Sequence, residues 1–264
     1  MRAHLVQLDI QWESASKNYE RVLSLLKHTE LSPGDLIALP EMFDSGFSLN
    51  TEKTHDQNGE TLAFLRALAT DTGCTVHGSR TILDEHDGDG PKGLNCATVI
   101  DQAGEVLCEY HKVHPFSFGR EAEAFKGGEE LYEYTLGDGD DAIRVCPAIC
   151  YDLRFPELFR KGAIKGAEMF VLGANWPDAR QHHWRTLLIA RAIENQAFVL
   201  GINRCGYDPF LHYAGGTIAI SPKGKVLGEL DDHEDVLSVE IDGGDARKWR
   251  EQFGALRDIR IRSF

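Results

Sequence analysis

Apolar runs of strand length alternate with longer amphipathic segments along the whole chain. The strand-like runs are β-prone and end at turn residues, and they read HLVQLDI, DLIALP, CTVHGS, MFVLGA, AFVLGIN, GTIAISP and VLSVEID. Segments 97–100 and 105–110 flank DQAG and predict a hairpin. Helices are predicted at 18–27, 61–70 and 184–196, and another is predicted to open at Pro156. This mixture of elements is typical of the α/β class.

Nothing in the chain marks a boundary between domains. A length of 264 residues allows one large α/β domain or two small ones, and no Pro-, Gly- or Ser-rich linker divides it. Two turn-rich stretches, HDGDGPKG at 86–93 and GDGDDA at 137–142, read as loops between strands. We therefore expect a single domain over residues 1–264, with a C-terminal tail from about residue 245.

A thiol follows one of the strand-like runs directly. In RVCPAICYDLRFPEL, Cys150 ends an apolar stretch, a polar turn comes next, and Pro156 opens a helix-like segment. Such a strand-elbow-helix layout exposes a side chain at the carboxyl end of a sheet, and amides at a helix N-terminus lower the pKa of a nearby thiol. Cys150 is thus either a reactive thiol or a small buried hydrophobe, and the local pattern leaves both open.

An acid and an ammonium group also stand just beyond strand-like runs. Glu41 follows DLIALP, and Lys112 follows the run 105–110. Strand ends converge on one edge of a sheet, so residues far apart in sequence can meet there. The three strand ends therefore predict that Glu41, Lys112 and Cys150 come together.

These segments resemble the motifs of the nitrilase (carbon-nitrogen hydrolase) superfamily, whose catalytic triad is Glu-Lys-Cys. LPEMF, YHKVHPF and ICYDLRFPE are similar to its three motifs, and they carry Glu41, Lys112 and Cys150. GANWPDARQHHWRTLLIARAIENQAFVLGINRCG and GGTIAISPKGKVLGEL extend the resemblance over nearly the whole chain. The resemblance implies the α-β-β-α four-layer sandwich of that family.

Three segments are more narrowly similar to the ω-amidase branch of the family: PEMFDSGF, ANWP with HW downstream, and ARAIENQAF. That branch hydrolyses the distal amide of short dicarboxylic monoamides such as 2-oxoglutaramate and 2-oxosuccinamate. An amide is a poor electrophile, so the reaction needs a strong nucleophile and charge stabilisation. The resemblance implies that Cys150 forms a thioester, Glu41 moves protons, and Lys112 with the Tyr151 N–H stabilises the oxyanion, without a cofactor or metal.

A second carboxylate is expected shortly after the Lys motif. Glu121 is the first candidate and Glu123 the second, and its role would be to position Lys112 or the attacking water. The alternative for either residue is a solvated loop carboxylate.

Five further residues are candidates for the substrate site. Arg154 matches an Arg that meets the substrate carboxylate in similar ω-amidases, which suits a guanidinium fork, although an ion pair with Glu157 or Glu194 is the alternative. Large aromatics at Trp176 and Phe116 are candidates for the walls of a narrow pocket, next to Tyr151. Asn175 is expected to bond its own backbone and hold the loop that presents Trp176. Some relatives donate a hydroxyl from this loop, whereas PDARQHHW contains no Ser or Thr.

Charge and cysteine usage narrow the partners and the compartment. The net charge of −14 argues against nucleic acid and anionic membranes. Six cysteines without a CxxC pair do not form a disulfide scaffold or a zinc site. The N-terminus contains no apolar signal core, so we expect a cytoplasmic enzyme with reduced thiols.

The expected partners are a small amide substrate and a second copy of the chain. In similar enzymes the C-terminal tail reaches across a dimer interface, and a helix packed on its own subunit is the alternative. Two other functions stay open. One is a different carbon-nitrogen hydrolase, such as an N-carbamoyl amidohydrolase or a nitrilase, and the other is a catalytically silent binding protein on the same scaffold.

Overall fold

Strands and helices alternate through the computed structural model, which describes residues 1–84 and 90–261. In chain order, the strands are β1 (Arg2–Gln7), β2 (Leu36–Ala38), β3 (Thr75–Asp84), β4 (Lys92–Ile100), β5 (Val106–His111), β6 (Tyr134–Leu136), β7 (Ile143–Ile149), β8 (Met169–Ala174), β9 (Phe198–Asn203), β10 (Cys205–Tyr207), β11 (His212–Ala214), β12 (Ile218–Ile220), β13 (Val226–Glu229) and β14 (Asp235–Glu240). The α-helices are α1 (Ala15–Leu26), α2 (Thr51–Thr54), α3 (Glu60–Thr72), α4 (Glu121–Ala124), α5 (Pro156–Lys165), α6 (Gln181–Asn195) and α7 (Gly244–Gln252).

Two six-stranded mixed sheets and one small hairpin contain these strands. The first sheet has the order β14-β1-β2-β3-β4-β5, and the second has the order β13-β12-β9-β8-β7-β6. Parallel pairing joins β1, β2 and β3 in one sheet and β7, β8 and β9 in the other, with antiparallel strands outside them. β10 and β11 pair as a separate antiparallel hairpin.

Alternating residues of the first sheet pack in opposite directions. Leu5 on β1 belongs to a large buried cluster that also contains side chains of the second sheet, such as Ile149, while its neighbour Val6 packs with α1 and α3. The helices α5 and α6 cover the second sheet, where Phe159 lies 5.0 Å from the ring of Phe170. The layers are therefore α-β-β-α, and the α/β four-layer sandwich expected from the sequence is confirmed.

Most predicted elements are present, with shifted ends. The strand MFVLGA coincides with β8, and the hairpin around DQAG is the antiparallel pair β4 and β5. Helices α1, α3 and α6 each begin one to three residues before the predicted start. The first residues of a helix can precede the first apolar side chain that the periodic pattern detects. Pro156 is the first residue of α5, as expected.

The two loops differ in how much the structure describes. GDGDDA lies between β6 and β7 and contains a 3₁₀ turn at Gly139–Asp141. Of the stretch 86–93, residues 86–89 lie outside the described residues, and β4 already begins at Lys92.

The first part of the C-terminal tail packs on its own subunit. Arg247 on α7 donates to Glu168 at 2.9 Å, and Arg250 donates to the carbonyls of Ala167 at 2.6 Å and Asn195 at 3.1 Å. Helix α7 therefore fits the alternative of a helix packed on its own chain. Within the described part of the chain, no helix is both long enough and apolar enough to cross a membrane.

Candidate active site

The structure brings together three of the predicted catalytic residues at one edge of the facing sheets. Glu41 lies three residues past β2, Lys112 directly follows β5, and Cys150 directly follows β7. All three are buried, and Cys150, with 8% exposure, is the most accessible of them. The convergence of strand ends, inferred from the sequence, therefore holds for residues separated by as many as 109 positions.

The Lys112 ammonium group lies between two buried carboxylates. Its Nζ donates to Glu41 Oε1 at 2.8 Å and to Glu121 Oε2 at 2.8 Å, and it stands 5.5 Å from the ring centroid of Phe47. Glu121 is fully buried, whereas Glu123 is exposed and pairs with Arg120. Of the two candidates for the second carboxylate, Glu121 is therefore the one that contacts Lys112.

Two asparagines fix the Glu41 carboxylate. Asn95 on β4 donates from Nδ2 to Glu41 Oε1 at 2.8 Å and to Glu121 Oε1 at 3.1 Å. The backbone N–H of Asn175 donates to Glu41 Oε2 at 2.9 Å. The sequence reasoning missed Asn95, although an amide within the apolar strand LNCATVI was a usable signal, because a buried polar group needs partners.

Opposing effects set the pKa values of this cluster. Burial alone would raise the pKa of Glu41, but the charge of Lys112 and the hydrogen bonds from Lys112, Asn175 and Asn95 hold it below the ordinary value of 4.5. Burial would lower the pKa of Lys112, but Glu121 and Glu41 raise it well above 10.5. Glu41 is therefore a carboxylate and Lys112 an ammonium group at neutral pH.

Cys150 occupies a strained elbow between β7 and α5. Its φ of +43° is in the left-handed region that non-glycine residues rarely adopt. Asp152 fixes the elbow, because its carboxylate accepts hydrogen bonds from the Ile149 N–H at 2.9 Å, the Tyr110 hydroxyl at 2.7 Å and His114 Nδ1 at 2.8 Å. Asp152 was not among the residues predicted from the sequence, since its partners lie on a distant segment.

The expectation of a lowered thiol pKa is wrong. Burial raises the pKa of Cys150 well above 9.0, the charge of Glu41 raises it further, and Lys112 only partly opposes them. The segment that follows Cys150 is a 3₁₀ turn up to Arg154, so α5 begins too late to stabilise a thiolate at Cys150. The resting side chain is therefore a neutral thiol, which weakly donates to the Asn175 carbonyl at 3.9 Å.

Cys150 opens onto a cavity of about 530 Å³. The cavity has the size of a typical small-molecule site, and its walls are largely apolar, with seven aromatic side chains among them. All five residues predicted for the substrate site line it: Phe116, Tyr151, Arg154, Asn175 and Trp176. The sequence reasoning missed other lining residues, among them Trp12, Phe47, Arg180, Phe210 and Tyr213. Phe47 and Arg180 lie within the quoted segments PEMFDSGF and ANWPDAR but were not singled out, and the other three lie outside every quoted motif.

Arg154 makes no ion pair with a carboxylate in the described part of the chain. Its guanidinium lies 4.9 Å from the ring centroid of Trp176, and it contacts His183 Nδ1 at 3.1 Å. Glu194, an alternative partner suggested by the sequence, is instead bonded to Arg191 at 2.9 Å.

The expected role of Asn175 is wrong in its detail. Its side-chain amide donates to the Glu41 carbonyl at 2.7 Å rather than to its own backbone. The loop that presents Trp176 is held by Asn203, which accepts from the Trp176 N–H at 2.8 Å and donates to the Trp176 carbonyl at 3.1 Å. Asn175 therefore joins the loop to Glu41, and Asn203 sets its shape.

Among the residues that the structure describes, no group of three or more His, Cys, Asp or Glu side chains is arranged to hold a metal ion. All six cysteines are buried and unpaired.

Known proteins resemble this chain over nearly its full length. The Carbon-nitrogen hydrolase family profile matches residues 2–251. A "2-oxoglutaramate amidase" of Bacillus subtilis is 33% identical, with 97% of this chain and 96% of the relative covered, and an "Omega-amidase YafV" of Yersinia enterocolitica is 32% identical, with 98% and 96% covered. A CN-hydrolase superfamily protein from Xanthomonas campestris, solved with an arsenic adduct in its active site, superposes with a TM-score of 0.88 at 32% identity and covers 100% of this chain and 98% of its own.

The family match and the amidase relatives agree with the geometry of the site. A buried acid and a buried ammonium group lie in contact with each other behind a thiol that lines a cavity of a size suited to a small molecule. On these grounds the chain belongs to the carbon-nitrogen hydrolase family of the nitrilase superfamily, and it is a hydrolase of carbon-nitrogen bonds other than peptide bonds.

Proposed function

We propose that this protein is an ω-amidase-type amidohydrolase, which cleaves the distal amide of short dicarboxylic monoamides such as 2-oxoglutaramate and 2-oxosuccinamate. The observation that carries the proposal is the placement of Cys150 and the guanidinium of Arg154 on the same cavity, with Glu41 and Lys112 behind the thiol. The amidase names of the Bacillus and Yersinia relatives support the same substrate class.

In the proposed acylation step, Cys150 attacks the amide carbon. Its proton passes to Glu41, whose carboxylate is held by Lys112, Asn95 and Asn175. Because the pKa of the thiol is raised and that of the carboxylate is lowered, the thiolate forms only as the sulfur bonds to carbon. Lys112 Nζ and the Tyr151 N–H stabilise the oxyanion of the tetrahedral intermediate.

Collapse of the tetrahedral intermediate completes the first half of the reaction. Glu41 returns the proton to the amide nitrogen, the carbon-nitrogen bond breaks, and ammonia leaves a thioester on Cys150. A water molecule then gives a proton to Glu41 and attacks the thioester carbon. The carbon-sulfur bond breaks, the thiol regains the proton from Glu41, and the dicarboxylic acid is released.

Glu121 acts through Lys112 in this scheme. It accepts from Lys112 Nζ at 2.8 Å and from the Phe116 N–H at 2.6 Å, so it ties the ammonium group to the loop after β5. We propose that Glu121 positions Lys112.

Arg154 gives the substrate preference. A guanidinium that is stacked on Trp176 and has no carboxylate partner in the described residues can pair with a substrate carboxylate through two hydrogen bonds. An acid monoamide would place that carboxylate at Arg154 and its amide at Cys150.

A substrate panel tests the proposal. Ammonia release would be measured from 2-oxoglutaramate, 2-oxosuccinamate, a carbamoyl amino acid, a simple aliphatic amide and a nitrile, with Cys150→Ala as the matched control. We expect fast release from the two oxo-acid amides and a loss of on the order of 10³-fold or more in Cys150→Ala, with unchanged folding. Activity confined to the carbamoyl amino acid, the simple amide or the nitrile would reject the substrate class, and unchanged activity of Cys150→Ala would reject the nucleophile.

A further inference from the structure

A second guanidinium group lines the same cavity. Arg180 ends the 3₁₀ turn that precedes α6, and its guanidinium carbon lies 5.5 Å from the ring centroid of Phe116. Within residues 1–84 and 90–261, the Arg180 side chain has neither a hydrogen-bond acceptor nor an ion-pair partner. Its backbone alone is engaged: the carbonyl accepts from Trp176 Nε1, and the N–H donates to the Pro177 carbonyl. A half-buried guanidinium that rests on an aromatic ring is preorganised for an anion.

The acids of the cavity do not explain Arg180, because their oxygens already have partners. Glu13 accepts hydrogen bonds from Ser48 at 2.7 Å and Lys53 at 2.7 Å. Asp208 accepts from the Phe210 and Leu211 N–H groups, each at 2.7 Å, and from the Tyr213 hydroxyl at 2.6 Å. Neither carboxylate is therefore directed at the two arginines.

Arg154 and Arg180 bring two guanidinium groups to the same cavity, and neither has a carboxylate partner within residues 1–84 and 90–261. Together they offer paired N–H donors to a single carboxylate.

We propose that Arg180 is a second carboxylate-binding residue, so that the acid end of the substrate is held between the guanidinium groups of Arg154 and Arg180. This inference rests on the proposed function and deepens it, because it assigns a second residue to the acid end of the monoamide. It also accounts for PDARQHHW, in which no hydroxyl is available and Arg180 supplies the donors.

Ligand binding to an inactive enzyme tests the inference without turnover. In a Cys150→Ala background, calorimetry would compare glutaramate, an anionic monoamide, with valeramide, a neutral amide of the same chain length. Arg180→Gln removes the charge, Arg180→Lys keeps the charge but loses the fork, and Arg185→Gln is the matched control. Arg185 lies on α6 and donates to Glu229 at 3.0 Å, away from the cavity residues.

We expect Arg180→Gln to weaken glutaramate binding by about 10- to 100-fold, since a hydrogen bond to a charged group is lost. Arg180→Lys should recover part of the loss, Arg185→Gln should bind normally, and the affinity for valeramide should stay the same in all variants. Unchanged glutaramate binding in Arg180→Gln, an equal loss for valeramide, or no glutaramate binding to Cys150→Ala itself would overturn the inference.

The two proposals fail in different ways in this design. If the wild-type enzyme releases no ammonia from acid monoamides while Arg180-dependent binding of glutaramate persists, the proposed function fails and the anion site stands. If acid monoamides are hydrolysed but Arg180→Gln has normal KM and Kd values, the function stands and Arg180 has no part in binding.

Discussion

Two ionisable residues with pKa values displaced in opposite directions define the reactive state of the site. Glu41 stays ionised to a pH below 4.5, and Cys150 keeps its proton above pH 9.0. The neutral thiol of Cys150 and the carboxylate of Glu41 therefore coexist over a wide pH range. The proton stays on the sulfur and does not pass to Glu41 before the reaction. This is the state that the proposed proton transfer from Cys150 to Glu41 needs.

The pH dependence of kcat/KM follows from these pKa values. Protonation of Glu41 removes the base only at a pH below its ordinary pKa of 4.5, and ionisation of Cys150 removes the proton for the leaving amine only well above its ordinary pKa of 9.0. We therefore expect a plateau between those limits, measured as ammonia release from about pH 4 to about pH 10. Circular dichroism at each pH would separate unfolding from titration, and an inflection near pH 7 would contradict the assignment.

Substitution of Arg154 tests recognition at the other end of the substrate. Arg154→Lys keeps the charge but loses the two parallel donors, so KM for an acid monoamide should rise by roughly 10-fold with little change in kcat. Arg185→Lys, in which a surface arginine paired with Glu229 is changed, should behave like the wild type. A similar rise for a neutral amide would show that Arg154 does not bind the carboxylate.

The three residues of the predicted triad share one property. Glu41, Lys112 and Cys150 each follow a strand-like run, so the sequence alone was enough to predict that they converge at the strand ends. Asn95 and Asp152 could not be found in this way, because what they do depends on partners from distant segments. The pKa of Cys150 was mispredicted for the same reason, since burial and the Glu41 charge arise only in the folded chain.

At the scale of elements, close contact between the two sheets sets the distance between base and nucleophile. Gly173 on β8 lies against the loop after β2, where a Cβ atom would stand 2.8 Å from Glu41 N and 3.0 Å from Leu39 O. Both neighbours are backbone atoms and cannot turn away. The absence of a side chain at position 173 therefore lets the Glu41 segment sit beside the strands that carry Cys150 and Asn175.

Gly173→Ala should disturb the site without touching a reacting group. The added methyl group must displace the Glu41 backbone, so we expect kcat/KM to fall by about 10-fold or more and the free energy of unfolding to fall by about 1–3 kcal/mol. Gly254→Ala is the control, since its nearest neighbour is the Arg257 side chain at 3.3 Å. Ammonia release and urea denaturation would be measured for both variants. Wild-type values for Gly173→Ala would refute the tight sheet contact.

Element types were easier to predict from the sequence than element ends. β8 was identified in full because every one of its residues is buried, whereas α6 begins three residues before its first buried apolar side chain, Trp184. The β10–β11 hairpin, which supplies Tyr213 to the cavity, was missed because each of its strands has only one buried residue and therefore no apolar run.

At the scale of the whole molecule, a buried polar contact joins strands of the two sheets. His77 on β3 and Tyr134 on β6 are both buried, and His77 Nδ1 lies 2.9 Å from the Tyr134 hydroxyl. Burial lowers the pKa of His77 from 6.5 to about 3. The folded protein therefore keeps this imidazole neutral under conditions in which the unfolded chain binds a proton.

The neutral His77 should make stability depend on pH. Between pH 6.5 and about 3 the unfolded state binds one more proton at this residue, so the free energy of unfolding should fall by about 1.4 kcal/mol per pH unit as the pH drops. Asp44, with a pKa raised by burial to about 6, contributes with the opposite sign between pH 3.8 and 6. His77→Gln should remove its own part of the slope, and Asp44→Asn is the counterpart. Urea titrations at pH 7, 6 and 5 with an unaltered slope in His77→Gln would contradict a buried neutral imidazole.

The assembly is the remaining prediction at this scale, and it rests on the tail beyond α7. Phe253 is 57% exposed and Ile261 is 69% exposed. Leu256 and Ile259 of the tail line a groove together with Ile164 on α5. These apolar side chains are available to a second copy of the chain, whereas α7 itself is bonded to its own subunit. We expect a homodimer in which this tail contributes to the interface.

Light scattering after gel filtration would test this assembly. The wild type should elute at twice the 29.4 kDa chain mass, and the double variant Phe253→Asp, Ile261→Asp should shift toward one chain mass, because a carboxylate buried in an apolar interface is costly. Leu23→Asp on α1, at a side chain 51% exposed, is the matched control and should stay dimeric.

A wild type that remains monomeric at micromolar concentration would refute the dimer. A double variant that stays dimeric would place the interface elsewhere, and α5 with α6, where Ile193 is 54% exposed, would then be the surface to change.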